Sequence, residues 1–462
     1  MSKIITILFL GAIMNLSANE PKLPESSKLI FNPPMVNPIE TENGLKIYAQ
    51  SDKTLPIIHL TAIIKTGKVY DPKEKIGLNE LLMESLRDGG TLKYKSDEID
   101  KKLEYLGASI DTSINYEEAR VNLTCLKKDF DTVFDIFFDI ISNPAFEEDK
   151  FNLKKEEMIE MIRRRNDKPD IEARREALRM FYGPEHPYGW RTEIDTVNSI
   201  TIDDLKKYHK NFFKPNNIII ATAGDFDEKE ILNKISEKFS SLKKETVVFP
   251  EIPEVKIEKE KKIYLIDKPL SQSFIVFLME GLKRHDDREY SLSVLSEYMG
   301  GGIQSKLGRE IRSKRGLAYS VYSYPAKRNK SGFIQTYVGT KPQSVNEAIT
   351  EVLRNMNEAK TSPIPEEDLN EAKSQIINSF VFMFPTTFDI VNERASYDYY
   401  DYPKNYLDNY VKNIDAVDKN KVQDIAKQLY NTEKPLIFVL GDKSKFQEPL
   451  SKFGEVNELK ED

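Results

Sequence analysis

The stretch GGGIQSKLGREIRSKRGLAYSVYSY, residues 300–324, joins a glycine triplet, a basic helix and a tyrosine-rich strand without a break. Gly300, Gly301 and Gly302 allow positive φ angles and a close approach to another chain, which a packed core rarely requires. One interpretation is a turn with a solvated basic face, since most charge runs are solvated. The alternative is a turn that binds a ligand, since many polar groups lie close together in this stretch.

The residues after the triplet predict a helix and then a strand. Apolar spacing predicts a helix over residues 305–315 that ends at Gly316. The β-forming residues that follow predict a strand closed by Pro325. Arg312 and Tyr319 therefore flank one helix-to-strand turn.

The composition is that of a globular protein with more than one core. A chain of 462 residues is too long for a single core, and its length alone suggests about three domains or two large ones. Hydrophobic residues make up 39% and charged residues 31% of the chain. The net charge of −7 argues against nucleic acid as a partner.

The amino terminus has the pattern of a secretory signal peptide. Lys3 precedes an apolar run over residues 4–16, and residues 1–18 end in Ser-Ala. This run is too short to span a bilayer, so we expect no membrane span after cleavage. A disordered or buried terminal segment is the alternative. Cys125 is the only cysteine, so a periplasmic or secreted protein would be stable here without disulfides.

Composition shifts divide the rest of the chain. Residues 19–36 are expected to form an extended lead-in, and residues 37–248 a first domain. The linker is predicted at residues 249–262, which contain two prolines and a charge run, and the second domain at residues 263–455. Periodicity in the first domain predicts strands over residues 45–48, 57–64, 109–126 and 218–223, and helices over residues 77–86, 97–106, 130–141, 147–166 and 203–213.

The two domains carry the same pattern. Residues 200–225 match residues 417–442, which lie 217 positions later. A strand, Gly67, a loop and a helix with spaced leucines recur at Gly281, which lies 214 positions later. Chance similarity of such units does not explain near-constant offsets, so the domains are duplicates. Runs of strands within each half predict an α+β fold, with a mostly antiparallel sheet flanked by helices in each domain.

The turn around Arg312 and Tyr319 resembles the second-domain signature of the insulinase and pitrilysin zinc peptidases, which include the mitochondrial processing peptidase. In that family a glycine-containing loop precedes an arginine and, seven residues later, a tyrosine, and this chain has the same spacing. The resemblance covers nearly everything after Pro34 and implies two homologous domains that close like a clamshell. It further implies that Arg312 holds a substrate carbonyl, that Tyr319 donates a hydrogen bond to the oxyanion, and that the glycine triplet belongs to the substrate-binding loop.

The resemblance also locates the zinc site of the catalytic members, and there this chain departs from the pattern. Those members carry His-x-x-Glu-His on a first-domain helix, with a further glutamate 77 residues beyond it. Here Glu80 and Glu84 stand for the two histidines, Met83 for the general base and Met161 for the last ligand. Methionine cannot accept a proton from water and is a poor zinc ligand. We therefore expect no metal or other cofactor in this chain, and solvated charges at Glu80 and Glu84.

No other catalytic set replaces the lost one. The histidines are scattered, with no pair at the spacing of helical ligands: His59, His186, His209 and His285. His186 precedes Pro-Tyr and is expected to satisfy a hydrogen bond in a turn. A nucleophile elbow, a phosphate loop and a dinucleotide fingerprint are all lacking in the sequence.

Three functions remain open. The first is a non-catalytic, substrate-binding subunit that supplies Arg312 and Tyr319 to a two-chain peptidase, with zinc in a homologous partner and peptides as substrates. The second is a peptide-binding or scaffold protein without peptidase activity. The third is an active zinc endopeptidase with unusual ligands, which the losses at Met83 and Met161 disfavour.

Overall fold

The computed structural model describes residues 31–256 and 262–460. The predicted signal peptide, residues 1–18, lies outside the described residues, as does the part of the lead-in before Phe31. Within the described ranges, no helix combines the length and the apolar composition that a membrane crossing requires.

The first domain is built on a six-stranded sheet. Its strands are β1 (Ile39–Glu40), β2 (Lys46–Ser51), β3 (Ile57–Ile64), β4 (Ser109–Ile114), β5 (Ala119–Leu126) and β6 (Ile218–Gly224). They are ordered β1-β2-β6-β3-β5-β4. All neighbours are antiparallel except β2 and β6.

The second domain repeats this sheet. Its strands are β7 (Lys262–Asp267), β8 (Ser273–Glu280), β9 (Ala318–Ala326), β10 (Phe333–Thr340), β11 (Leu436–Gly441) and β12 (Glu455–Leu459). They are ordered β12-β7-β11-β8-β10-β9, so five strands repeat the order of β2-β6-β3-β5-β4. The duplication and the α+β class with largely antiparallel sheets are thereby confirmed.

Fourteen α-helices accompany the sheets in the described ranges. Eight precede the second sheet: α1 (Leu78–Asp88), α2 (Ser96–Leu106), α3 (Phe130–Ser142), α4 (Glu148–Arg163), α5 (Pro169–Tyr182), α6 (Ile194–Ser199), α7 (Ile202–Phe212) and α8 (Glu228–Phe239). The other six lie between strands of the second sheet in chain order: α9 (Glu289–Gly300), α10 (Val345–Thr361), α11 (Glu366–Phe380), α12 (Thr387–Tyr399), α13 (Tyr406–Asp415) and α14 (Lys419–Leu429).

One helix of each domain packs on the sheet of the other domain. Helix α5 buries Ala173 and Ala177 against strands β8 and β11 of the second sheet. Helix α12 buries Val391 and Ala395 against strands β2 and β6 of the first sheet. Small side chains let a helix approach a sheet closely, and the exchange joins the two domains through packed apolar surface.

Polar contacts run along the same seam. Arg284 of the second domain donates to Glu117 of the first at 3.0 Å, and both side chains are largely buried. The hydroxyl of Tyr182 donates to the carbonyl of Ser331 at 2.8 Å. Buried charges and donors are stable only when they are paired, so these contacts fix how the domains meet.

The described part of the lead-in is held by the second domain. Arg394, which is buried, donates to the carbonyl oxygens of Pro33 at 2.7 Å and Pro34 at 3.2 Å. The ring of Phe31 lies 5.5 Å from that of Phe384, measured between centroids. The chain therefore enters the first sheet from a site on the opposite domain.

Two local predictions hold, with differences in detail. The helix expected over residues 305–315 is present, but Gly308–Lys314 is a π-helix, and just after it Leu317 N donates to the carbonyl of Ile311 at 2.9 Å. Strand β9 does not stop at Pro325 but runs to Ala326. Strand β9 lies at the edge of the sheet. A proline is tolerated in an edge strand, because one side of that strand forms no hydrogen bonds to a neighbouring strand.

Candidate functional site

The glycine triplet packs within its own domain. A side-chain carbon on Gly300 would lie 2.1 Å from the backbone nitrogen of Ser323 in β9, and one on Gly301 would lie 2.2 Å from the Glu297 carboxylate. Gly302 has a φ of 153°, which disfavours any other residue. Close packing of α9 on β9 thus explains Gly300, while Gly301 and Gly302 form the exposed part of the loop.

Arg312 lies on the exposed side of the π-helix. Its four basic neighbours are each paired with an acidic side chain of the same domain: Lys306 with Glu358, Arg309 with Asp368, Lys314 with Glu310 and Arg315 with Glu351. Within residues 31–256 and 262–460 the guanidinium of Arg312 has no such partner and no hydrogen bond. π-helical turns are rare and occur often at functional sites.

Tyr319 lies at an irregularity in strand β9. Ser320 pairs with Gly339 and Ala318 with Thr340, so Tyr319 is the extra residue of a β-bulge. Its side chain is 52% exposed, and its hydroxyl has no partner within the described residues. A bulge changes the direction of one side chain and often lies beside a binding site.

A glycine and a hydrogen bond shape the turn between these two residues. Gly316, with a φ of 62°, ends the helix. The hydroxyl of Thr340 donates to the carbonyl of Leu317. Arg312 and Tyr319 are therefore exposed on either side of one turn, which the sequence predicted that they flank.

The four positions of the lost zinc motif differ in exposure, and of the four only Glu80 and Met161 line a common cavity among the described residues. Met83 is 1% exposed in the core of the first domain, whereas Glu84 is exposed and Met161 is 58% exposed. Glu80 is paired with Lys68, whose Nζ lies 3.0 Å from its carboxylate. The expectation of a merely solvated charge is wrong for Glu80, which is only 31% exposed.

This donor set does not suit zinc. Glu80 is already bound by an ammonium, and the base position is an apolar side chain in the core. In the ranges 31–256 and 262–460, no group of three or more His, Cys, Asp or Glu side chains is placed to hold a metal ion.

A cavity of about 250 Å³ remains beside Glu80. Among the described residues, its lining comes from the first domain: Lys68, Asp71, Ile76, Glu80, Tyr116, Met158, Met161, Ile162, Arg165, Arg175, Pro187, Trp190, Arg191 and Thr192. Asp71 accepts from the backbone nitrogens of Gly77 at 2.8 Å and Asn79 at 2.9 Å, which caps α1. Burial raises the pKa of Asp71 to about 7 despite these bonds.

Sequence reasoning did not find Lys68 or Trp190. Lys68 follows Gly67, where a side-chain carbon would lie 2.4 Å from the carbonyl oxygen of Tyr116, so the glycine allows two loops to touch. The available signal for Trp190 was its place as the single tryptophan of the chain, directly after His-Pro-Tyr-Gly.

His186 has the structural role that the sequence predicted. Its Nδ1 accepts from the backbone nitrogen of Tyr188 at 3.1 Å, and its Nε2 lies 3.0 Å from the carbonyl oxygen of Pro253. Burial lowers the pKa of His186, which favours the neutral ring that these two contacts require.

Comparisons with known proteins agree with this geometry. The sequence profile of the insulinase family, peptidase family M16, matches residues 46–183, and that of the peptidase M16 inactive domain matches residues 199–376. A chain described as "Non-peptidase homolog YmxG" from Helicobacter pylori is 22% identical over 92% of this chain and 95% of its own length. From the same organism, "Zinc protease PqqE" is 22% identical over 78% of this chain and 82% of its own.

A solved structure shows the same fold. The peptidase M16 inactive domain from Pseudomonas fluorescens superposes with a TM-score of 0.81 at 23% identity, covering 90% of this chain and 100% of its own.

Proposed function

The chain belongs to the insulinase family of peptidases, M16, as a non-catalytic member, and we propose that it is the substrate-binding subunit of a two-chain zinc peptidase. The observation that carries the proposal is the contrast within the basic helix. Four cations there are neutralised by their own domain, whereas Arg312 is presented without a partner in the described chain, next to the bulged Tyr319.

These two side chains suit the oxygen atoms of a peptide. The guanidinium of Arg312 is a planar fork of donors that can hold a backbone carbonyl. The phenol of Tyr319 is a neutral donor, and a preorganised donor at a developing oxyanion contributes about 10² to 10³ in rate. Neither residue can activate water, so the metal and the general base would come from the partner.

The proposed partner is a homologous chain with intact zinc ligands. One organism contains relatives with both descriptions, a non-peptidase homolog and a zinc protease, which supports pairing of two unlike chains. The loss at Glu80, Met83, Glu84 and Met161 removes the metal from this chain but leaves the turn of Arg312 and Tyr319 complete.

Export of the chain is part of the proposal. Lys3 and the apolar run over residues 4–16 support cleavage after Ala18 and a periplasmic or secreted protein. Amino-terminal sequencing of protein from the native host tests this, and an intact Met1 in the cytosol would contradict it.

A peptide-binding scaffold without catalytic partnership is the second candidate. The cavity of about 250 Å³ beside Glu80 favours this scaffold role. Protein interiors are close-packed, so a cavity kept at the former metal position suggests that it binds a ligand.

The decisive experiment is peptide cleavage by the mixed complex of this chain and a zinc-bearing homologue. Tyr319→Phe is expected to lower kcat by about 10² to 10³ with assembly intact, because the donor to the oxyanion is lost. Tyr324→Phe, on the same strand and 38% exposed, is the matched control.

Arg312→Ala is expected to raise KM, with Lys314→Ala as its control, since Lys314 is 65% exposed on the same helix. Unchanged kinetics with Tyr319→Phe, in a complex shown to be assembled, would overturn the shared-site mechanism and favour the scaffold.

A further inference from the structure

A basic cavity of about 220 Å³ lies where the two domains meet. The first domain contributes Asn166, Glu172, Arg175, Glu176, Arg179 and Arg191 to its lining. The second domain contributes Ile266, Leu459 and Lys460. Within the described residues the lining thus contains four cations and two carboxylates, an excess of two positive charges. A concave site with an excess of one charge attracts groups of the opposite charge.

The two carboxylates of the lining are already bound. Glu172 pairs with Lys268 at 2.7 Å. Three guanidinium groups donate to Glu176: Arg175 at 2.9 Å, Arg191 at 3.2 Å and Arg179 at 3.4 Å. Burial by itself raises the pKa of Glu176, but these guanidinium groups lower it below its usual range. One carboxylate therefore serves three cations and does not neutralise them.

Arg179 has donors left for a further carboxylate. Its one side-chain hydrogen bond within the described part of the chain is the 3.4 Å contact with Glu176. A guanidinium has several N–H donors, and the Arg179 side chain is 30% exposed, so they are accessible. Arg175, by contrast, also donates to the carbonyl oxygen of Arg165 at 2.9 Å and to the side-chain oxygen of Asn166 at 2.6 Å.

Strand β12 of the second domain leads into this cavity. It runs parallel to β7, with Leu459 opposite Ile266, and Lys460 follows it. Next in the sequence are Glu461 and Asp462, which lie outside the described residues. Each residue of extended chain spans about 3.3–3.6 Å, so both carboxylates are within reach of the cavity.

A cation closer to the strand already has its own partners. Lys443 lies beside β12 and binds Glu458 at 2.8 Å and Asp267 at 3.5 Å. The guanidinium groups of the cavity are therefore the better partners for the two acidic residues.

We propose that the carboxylates of Glu461 and Asp462 bind in this cavity, with Arg179 as a donor, and so join the second domain to helix α5 of the first. Two negative charges then meet the excess of two positive charges in the lining. The contact does not depend on the proposed peptide-binding role, since neither Arg312 nor Tyr319 lines the cavity.

The test neutralises the two acidic residues without changing their size. Glu461→Gln combined with Asp462→Asn is expected to lower the thermal unfolding midpoint of the full chain by about 2–4 °C, the effect of one or two ion pairs in a domain of this size. Glu455→Gln, on β12 but outside the lining, is the matched control and should leave the midpoint unchanged. The difference should vanish in about 1 M NaCl, where the Debye length is only about 3 Å.

A second substitution locates the contact. Arg179→Met should lower the midpoint of the natural chain but add little to the loss in the neutralised variant, because the two changes remove the same ion pair. Arg174→Met is the control, since Arg174 lies on the same helix, pairs with Asp170 and does not line the cavity. Its effect should add in full to that of the neutralised variant.

Succinate supplies two carboxylates from solution. It is expected to raise the midpoint of the neutralised variant more than that of the natural chain, relative to NaCl at the same ionic strength. Adding Arg179→Met to the neutralised variant should abolish this extra rise.

Three results would overturn the inference, provided that circular dichroism shows each variant to be folded. The first is a neutralised variant as stable as the natural chain. The second is full additivity with Arg179→Met, which would place the acidic residues elsewhere. The third is a midpoint difference that depends on protein concentration, which would assign the carboxylates to a second copy of the chain.

Discussion

Lys268 Nζ lies 2.7 Å from the carboxylate of Glu172, and the two side chains are 9% and 1% exposed. Glu172 is on α5 of the first domain, while Lys268 follows β7 of the second. This pair crosses the seam at the point where α5 covers the second sheet. Removal of either charge would leave the other buried.

Lys268→Met is expected to lower the free energy of unfolding by about 3–5 kcal/mol, because Glu172 loses its ammonium in a low-dielectric seam. The double substitution with Glu172→Met should recover most of this loss, since two apolar side chains of similar volume then meet. Denaturant unfolding followed by circular dichroism measures both. A single variant as stable as the double one would contradict the expected coupling.

Zinc binding is not expected to return with the four ligand residues alone. Restoration needs Glu80→His, Met83→Glu, Glu84→His and Met161→Glu, but Met83 is 1% exposed in the core. A carboxylate there is destabilising, and Lys68 would repel the metal.

Metal analysis after dialysis should find no stoichiometric zinc in the natural chain and well under one equivalent in the restored chain. Adding Lys68→Ala to the restored chain should raise its zinc content. Near-equimolar zinc in the natural chain would refute the loss of the site.

Arg309 and Arg312 form a matched pair for stability. Arg309 donates to both oxygens of Asp368, at 3.0 and 3.1 Å, and Arg312 has no partner in the described residues. Arg309→Ala should cost about 1 kcal/mol and Arg312→Ala no more than roughly 0.5 kcal/mol. Thermal unfolding of the two variants side by side measures the difference. Equal losses would mean that Arg312 supports the fold rather than a ligand.

Gly300→Ala is expected to destabilise the second domain by about 1–3 kcal/mol, because the new methyl group would overlap the backbone nitrogen of Ser323. Gly107→Ala is the control for an αL glycine in open space, where only backbone strain applies. The comparison requires unfolding curves for both. A loss at Gly300 no greater than that at Gly107 would indicate that α9 can move away from β9.

The stability of the first domain should decline in mild acid through His209. Burial lowers the pKa of His209 to about 4, and its Nε2 lies 2.8 Å from the carbonyl oxygen of Ile141. The unfolded chain binds a proton near pH 6.5, so between that pH and about 4 it holds more protons than the folded chain. The contribution of His209 to stability is therefore lost as the pH falls through this window, by about 3 kcal/mol. Asp71, whose pKa burial raises to about 7, takes up a proton over the same window and acts in the opposite direction.

His209→Gln keeps a side-chain donor but does not titrate. Its unfolding midpoint, relative to that of the natural chain, is expected to rise as the pH falls from 6.5 to 4, because the variant does not lose the His209 contribution. Parallel profiles for the two proteins would show that His209 does not contribute to the acid dependence.

The sequence by itself determined the parts that depend on local pattern and on residue identity. The offsets of Gly67 with Gly281 and of residues 200–225 with 417–442 required two copies of one domain, and the sheets have that order. The replacement of all four residues, at the positions that the family resemblance assigns to the metal site, argued against zinc hydrolysis. The turn joining Arg312 to Tyr319 was also evident, since a glycine that ends a helix and a run of β-formers are local signals.

Only the tertiary structure decided which surfaces meet. Periodicity shows that a helix has an apolar face but not which sheet that face covers, so the exchange of α5 and α12 between domains could not be predicted. The same holds for Lys68 and Glu80, which lie together where Asn79 of α1 donates to the carbonyl of Gly67. The π-helix and the bulge at Tyr319 likewise depend on packing against neighbouring elements, because both break the regular period from which a sequence is interpreted.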